Sequence, residues 1–219
     1  MTAITHYITN DYKAIDGQET VANVQDFLLE SNFSHFPILQ NDVYIGNIVA
    51  QDVETFDNQM HVLDYKYSLE VFFVRSFMDW LDVLEVFAKN NANVVPVLNE
   101  ENKYVGYYEI NDIINFFYDT PFLKESGDKI SIKKSISDYS LSQITQIVES
   151  NNGKLLGLFI SELNATHVQV TLKLNGGPLN EIIQTFRRYN YEIISEHIED
   201  NYINTLKERS DYLDKYLNI

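Results

Sequence analysis

Apolar residues recur at helical spacing in two stretches, Val21, Val24, Phe27 and Leu28, and then Leu81, Leu84, Phe87 and Ala88. Asp16 with Glu19 three residues later reads as a capping box for the first stretch, and Ser76 with Asp79 repeats that start for the second. The spacing predicts a first helix over residues 20–30. A short apolar run follows each helix, Phe36-Pro37-Ile38-Leu39 in one place and Val95-Pro96-Val97-Leu98 in the other. Polar turns at 40–42 and 99–102 lead to second runs at 43–49 and 103–108, and a closing helix then begins at Asp52 or Asp112. Proline has no N–H to give to a ladder, so Pro37 and Pro96 are expected at a strand's first residue or on an edge. A further strand is expected ahead of the second helix, at residues 70–75.

The two stretches are versions of one unit. Pro37 and Pro96 lie 59 residues apart, whereas Gly46 and Gly106, and Asp52 and Asp112, lie 60 apart. The extra residue falls in the polar turn, a hairpin tip that tolerates insertion. A period near sixty is too long for a solenoid and implies two copies of a helix–strand–strand–helix unit that bury their apolar faces against each other. Such a doubling leaves a two-fold cleft, expected to lie between Asp52 and Asp112.

After Thr120-Pro121 the pattern changes. A polar linker with Gly127 leads to alternating Ile130 and Ile132, then to Leu141, Ile144, Ile147 and Val148 at helical spacing. Runs of strand type at 154–163 and 167–174 are separated by Asn164-Ala165. Gly176-Gly177-Pro178 ends the second run, with Pro178 placed for the first turn of a helix carrying Leu179, Ile182, Ile183 and Phe186. A last strand is expected at 191–197, which completes βαββαβ, the ferredoxin-like order. Leu206, Leu213 and Leu217 mark an exposed terminal helix over 204–217.

Composition narrows the function. With 16 Lys and Arg against 32 Asp and Glu, the chain carries a formal charge of −16 and has no basic stripe for nucleic acid or an anionic membrane. The acids are dispersed, as on a solvated surface. There is no cysteine, so disulfides and thiolate metal sites are excluded. The apolar runs 71–74 and 155–160 are far too short to span a bilayer, and residues 1–13 do not read as a secretory signal, so the expectation is a cytoplasmic protein. His6, His35, His61, His167 and His197 never pair at metal-ligand spacing, and no metal site is expected. His35, just before a strand, is expected to be partly buried and hydrogen-bonded. No phosphate-cradling loop or serine elbow occurs, and no acid, base and nucleophile form a set, so an enzyme is not expected. The 15 Tyr and 13 Phe suit core and interface packing, and Trp80 is assigned to a subunit interface.

The duplicated Pro, Gly and Asp spacing resembles a tandem of CBS domains, and residues 129–200 resemble an ACT-type domain. Together they are similar to the bacterial acetoin-utilisation-type CBS proteins. The implied fold class is α+β. Two CBS repeats, 1–60 and 61–123, pack with pseudo-twofold symmetry; a linker 124–128, an ACT-like domain 129–200 and a C-terminal helix 201–219 follow. The resemblance implies a non-catalytic sensor without a cofactor, whose CBS pair binds an adenine nucleotide or related ligand between the repeats.

In that family a Ser or Thr three residues after the glycine contacts phosphate or ribose, and an Asp six residues after it holds the ribose hydroxyls. Asp52 and Asp112 keep the carboxylates, but Val49 and Glu109 stand at the hydroxyl positions. Val49 donates nothing and Glu109 repels phosphate, with Lys103 and Arg75 the nearby cations in a position to compensate. Phe36 and Val95, one residue ahead of each proline, complete the expected ligand-contacting set. Asp52 and Asp112 equally suit plain helix caps. The ACT-like segment has Ser137-Asp138-Tyr139-Ser140-Leu141 where a glycine turn would admit an amino acid, so it is expected to associate more than to bind, with Asp138 or Ser140 as a cap. Two apolar-faced repeats and an open sheet edge predict a homodimer. The alternative is a constitutive interaction module that has lost its ligand sites and docks an unidentified protein partner.

Overall fold

The computed structural model describes residues 4–194 and shows an α+β fold in two compact units, Met1–Asp119 and Thr120–Ile219. The expected C-terminal helix lies outside the described residues, as does the end of the expected last strand.

The first unit contains the two copies. In the first, β1 (Ile15–Asp16) leads to α1 (Val21–Ser31), β2 (His35–Gln40), β3 (Val43–Val49) and the single turn α2 (Ala50–Val53). In the second, β4 (Val74–Arg75) leads to α3 (Trp80–Asn90), β5 (Val94–Leu98), β6 (Tyr104–Glu109) and α4 (Ile110–Tyr118). Each copy forms a three-stranded sheet, β1-β2-β3 or β4-β5-β6, with a parallel pair followed by an antiparallel one. The register breaks at the same place in both, between Ile38 and Leu39 and between Val97 and Leu98.

The helices start later than the capping boxes suggest, with Thr20 in place of Asp16 and Asp79 in place of Ser76 as the N-caps. Thr20 caps α1 by accepting from the Asn23 N–H, while Asp16 Oδ1 is taken by the Gln18 N–H. Asp79 caps α3 through the Leu81 N–H. Both helices end on an asparagine in the left-handed region, Asn32 and Asn91, a residue that tolerates that conformation.

Pro37 and Pro96 are interior residues of the central strands, not first residues or edge positions. Asn47, opposite Pro37, gives its N–H to Glu70 O and accepts from the Glu70 N–H. Tyr107, opposite Pro96, exchanges the same two bonds with Thr9. Neither facing residue needs a donor from the proline, so the missing N–H costs nothing at these positions.

Those bonds also show how the copies interlock, because the segment ahead of each copy adds to the sheet of the other. Thr9 precedes β1 and bridges to Tyr107 of β6; Glu70 precedes β4 and bridges to Asn47 of β3. The crossings pass directly over Gly106 and Gly46, whose φ values are 148° and 149°. A Cβ on Gly106 would lie 2.4 Å from Thr9 O, and one on Gly46 2.8 Å from Leu69 Cβ. The repeated glycine is therefore required by the crossing chain.

Two cores result. One gathers Val24, Leu28, Phe36, Ile38 and Ile48 of the first copy together with Val94 and Tyr107 of the second; the other gathers Val83, Phe87, Val95, Val97, Tyr108 and Ile113. Trp80 stacks on Phe117 at 5.2 Å and is partly buried against the second core.

The second unit opens with α5 (Pro121–Lys124), followed by β7 (Asp128–Ser135), α6 (Leu141–Ser150), β8 (Lys154–Leu163), β9 (His167–Asn175), α7 (Leu179–Arg188) and β10 (Glu192–Ile193). Pro178 is the N-cap of α7, one place before the first turn. Its sheet is antiparallel in the order β10-β7-β9-β8, the ferredoxin-like arrangement. Both long helices cover one face, where Ile130, Ile132, Ile144, Leu172, Ile182 and Phe186 are fully or almost fully buried. Ser140 caps α6 by accepting from the Gln143 N–H.

Candidate functional site

The two copies meet through a polar clasp of equivalent residues, Ser34 and Asn93, 59 positions apart. The Ser34 N–H donates to Asn93 Oδ1 at 2.8 Å, and the Asn93 N–H donates to Ser34 Oγ at 2.9 Å. Asn93 Nδ2 adds a bond to Asn32 O at 2.8 Å. Just behind the clasp, Ala50 N–H donates to Ser34 O and Ile110 N–H to Asn93 O, so it anchors the first turns of α2 and α4 together. Those turns carry the two aspartates.

Asp52 and Asp112 are not the caps. Val49 and Glu109 occupy the N-cap positions, with no side-chain bond to the helix, and each aspartate is the third residue inside. There they remain near the positive end of the turn with their carboxylates uncommitted to the backbone.

The surroundings of the two aspartates differ. On the Asp52 side, Val49 lies opposite His35, which is only 6% exposed. His35 Nε2 is 3.3 Å from Glu70 Oε2, and its ring meets Phe72 edge-on at 5.3 Å. Burial holds the imidazole below its ordinary value, against the opposing pull of Glu70 and then Asp52. His35 Nδ1 also lies 2.9 Å from Ser34 Oγ. The Ser34 hydroxyl gives its one proton to Asn93 Oδ1 at 2.9 Å, so toward His35 it is left to accept from Nδ1–H. His35 thus links the Asp52 side to the clasp.

On the Asp112 side the charges are of one sign. Burial raises the Glu109 carboxyl, and Asp112 and Asp11 raise it further; burial also raises Asp112. The cations expected to compensate are engaged at the second hairpin tip. Arg75 bonds Asn99 O at 2.7 Å and Asn102 Oδ1 and lies over the Phe73 ring, while Lys103 pairs with Glu101 at 2.8 Å. The neighbours of the two aspartates are thus unlike, with His35 and Glu70 on one side and Glu109 and Asp11 on the other.

Phe36 and Val95 do not reach either one. Both are fully buried on the helix-facing side of their sheets and present no surface to a ligand. None of the six expected residues lines either of two grooves on the first unit. One, of about 410 Å³, lies between α1 and α2 against Leu28, Leu29, Phe33 and Val53; the other, of about 250 Å³, is lined by Asn10, Lys13, Asp16, Asp42 and Tyr104.

The residues that sequence reading passed over are Ser34, Asn93 and Glu70. The available signal was the repeat itself, because two small polar residues occupy matching places just ahead of apolar strands. Among the described residues no group of three His, Cys, Asp or Glu is placed to hold a metal ion. No helix among them is long and apolar enough to cross a membrane.

Comparison with known proteins agrees with the doubled geometry at one point. Residues 65–119 match the model of the CBS domain. This CBS-domain segment includes β4 to α4 and therefore Glu109 and Asp112. The uncharacterized protein MJ0188 of Methanocaldococcus jannaschii is 24% identical over 149 residues, which are 68% of this chain and 56% of that protein. The chain thus spans little more than half the length of that curated relative. A CBS domain pair/ACT domain protein from Thermotoga maritima is 16% identical, with a TM-score of 0.48 over 53% of this chain and 96% of the other. The CBS domains of a transcriptional regulator from Streptococcus pneumoniae are 15% identical, with a TM-score of 0.47 over 52% and 98%.

Proposed function

We propose that the chain is a non-catalytic regulatory module, in which the Asp52 side of the CBS pair binds a small ligand and the Asp112 side does not. Adenine nucleotides are the first class to test, following the resemblance of the duplicated motif. The observation that carries the reading is the difference in charge. Asp52 is accompanied by His35, whereas Asp112 is accompanied by Glu109 and Asp11. A phosphate brought to the second site meets half-buried like charges, and one brought to the first meets an imidazole that gains a proton in its presence. Asp52 accepts ribose hydroxyls while Val49 supplies only apolar contact, so affinity comes from the sugar and base more than from phosphate. Binding tightens or loosens the His35–Ser34–Asn93 clasp, which gives the ligand the differential affinity that regulation requires. The module acts in the cytoplasm as a homodimer.

Thermal melting of the full chain with AMP, ATP, S-adenosylmethionine and c-di-AMP tests this reading. A ligand at a hundred times its Kd stabilises by about 2.7 kcal/mol. For a chain of this size that shift is roughly 5–10 °C. Asp52→Ala is expected to abolish the shift and Asp112→Ala to leave it. No shift with any ligand, or equal loss from both variants, overturns the assignment.

A second reading is supported by Val49 and Glu109, neither of which offers the phosphate a hydroxyl. In it the sites are empty by design and the module holds a protein partner constitutively. A melt indifferent to every ligand, with a partner retained by both aspartate variants, is its expected signature.

A further inference from the structure

The repeat allows one half of the first unit to be matched against the other, position by position. Asp16 pairs with Leu39 as Arg75 pairs with Leu98, so Ala14 corresponds to Phe73 and Lys13 to Phe72. Tyr44 pairs with Leu39 as Tyr104 pairs with Leu98. At the hairpin tips Asp42 and Asn102 share a left-handed backbone, with φ of 62° and 63°.

In the second copy the space between the leading segment, the hairpin tip and a tyrosine is filled. The Phe73 ring meets Tyr44 edge-on at 5.9 Å, and the guanidinium carbon of Arg75 lies 5.1 Å from the centre of that ring. Arg75 is held at the tip by Asn99 O and Asn102 Oδ1, and the Tyr44 hydroxyl donates to Phe72 O at 2.7 Å. The plug is an aromatic ring with a cation on its face, a favourable pairing.

The first copy has lost the plug. Ala14 stands for the ring and Asp16 for the guanidinium, and a groove of about 250 Å³ opens between Ala14, Asp16, Leu39, Asp42 and Tyr104. The Tyr104 hydroxyl, whose counterpart bonds a carbonyl, is buried with no hydrogen-bond partner among the described residues. Charge is reversed as well. Asp16 and Asp42 line the groove against Lys13 alone, which leaves one net negative charge. Asp16 gives Oδ1 to the Gln18 N–H and keeps Oδ2 to offer. The unit around the groove holds 19 acids against 5 Lys and Arg, so its field favours a cation too.

We propose that this groove binds a small aromatic monocation, an arylalkylammonium, with its ring against Tyr104 in the place of the Phe73 ring and its nitrogen between Asp16 and Asp42 in the place of the Arg75 guanidinium. The site is separate from that at Asp52. It lies at the hairpin-tip end of the sheets, whereas Asp52 and Asp112 follow the opposite ends of β3 and β6.

Phenethylamine is the probe, because its two-carbon chain carries the cation clear of the ring. NMR titration of the full chain is expected to give a Kd below about 1 mM. Phenylethanol has the same shape without the charge, and ethylamine has the charge without the ring; each is expected to bind at least about tenfold more weakly. Phenylalanine, whose carboxylate would face Asp16 and Asp42, is expected to lose as much. Asp42→Asn installs the residue of the second copy on the same backbone and is expected to weaken binding about three- to fivefold. Adding Asp16→Asn, which keeps an acceptor for the Gln18 N–H, is expected to bring the loss to about tenfold. Ala14→Phe restores the ring and is expected to abolish binding. Both aspartates are exposed, so their variants fold whatever becomes of Ala14→Phe. Equal affinity for the amine, the alcohol and phenylalanine, or a Kd unmoved in the double aspartate variant, overturns the site. Displacement of the amine by AMP places it in the nucleotide cleft and overturns the site equally. Neither failure touches the regulatory reading, which the nucleotide melting shifts judge separately.

Discussion

His35 shows how much a single buried side chain can decide. It is the only histidine among the described residues with a resolved displacement from its ordinary value, and that displacement is downward. Above about pH 6.5 the ring is neutral whether the chain is folded or not, and its stabilising contacts are fully present. As pH falls below that, the unfolded chain takes up a proton before the folded one, so stability declines toward the folded value. Melting wild type and His35→Gln from pH 7.5 to 5 is expected to show the wild type losing its advantage on the acid side. Parallel curves for the two proteins would refute the assignment. The buried, hydrogen-bonded histidine was legible from its place before an apolar strand. Its partner Glu70 was not, since Glu70 reaches it only through the fold. Pro37 and Pro96 misled for a related reason: the rule that bars proline from central strands assumes that each position donates to a neighbour, and the crossing segments remove that need here.

The elements themselves were largely visible, because period-3.6 and strand-type runs occur twice in the same order and each copy checks the other. What local pattern missed was the interlocking of the copies, in which Thr9 and Glu70 add to each other's sheets. Gly46 and Gly106 were noticed only as markers of the repeat, yet they are the sites where the crossing chain touches the strand. Gly106→Ala should therefore destabilise in two ways, by forcing a side chain onto a backbone φ of 148° and by driving its Cβ into Thr9 O. The combined cost is expected to be about 2–4 kcal/mol. Gly176→Ala is the comparison: its φ of 71° also favours glycine, but the nearest atom to an added Cβ is 3.6 Å away. Chemical denaturation should give Gly106→Ala the clearly larger loss, and equal losses would mean that the crossing imposes no close contact.

The charge of the chain is unevenly divided, and that division bears on both stability and ligand choice. Residues 1–119 hold 19 Asp and Glu against 5 Lys and Arg, and residues 120–219 hold 13 against 11. Nearly all the net charge thus falls on the unit that contains Asp52 and Asp112. Composition made this legible from the start, but it suggested only a solvated surface. The structure adds that some of these carboxylates, Glu109 and Asp112 with Asp11 beside them, are drawn together where burial magnifies their repulsion. Self-repulsion of this kind destabilises the compact state, and salt relieves it as the screening length falls from about 30 Å at 0.01 M to about 3 Å at 1 M. Raising sodium chloride from 10 mM to 0.5 M is therefore expected to raise the Tm of the full chain by several degrees, on the order of 1 kcal/mol. Chloride is the suitable anion, since sulfate would stabilise by exclusion from the surface whatever the charge. Glu109→Gln should lower the low-salt penalty and flatten the dependence, because it removes the member of the cluster with two acidic neighbours. The same field opposes an approaching nucleotide, so ATP affinity at the Asp52 site is expected to rise with sodium chloride over this range. An affinity that falls with salt would mean that cations dominate that site, and the charge argument separating the two copies would fail with it.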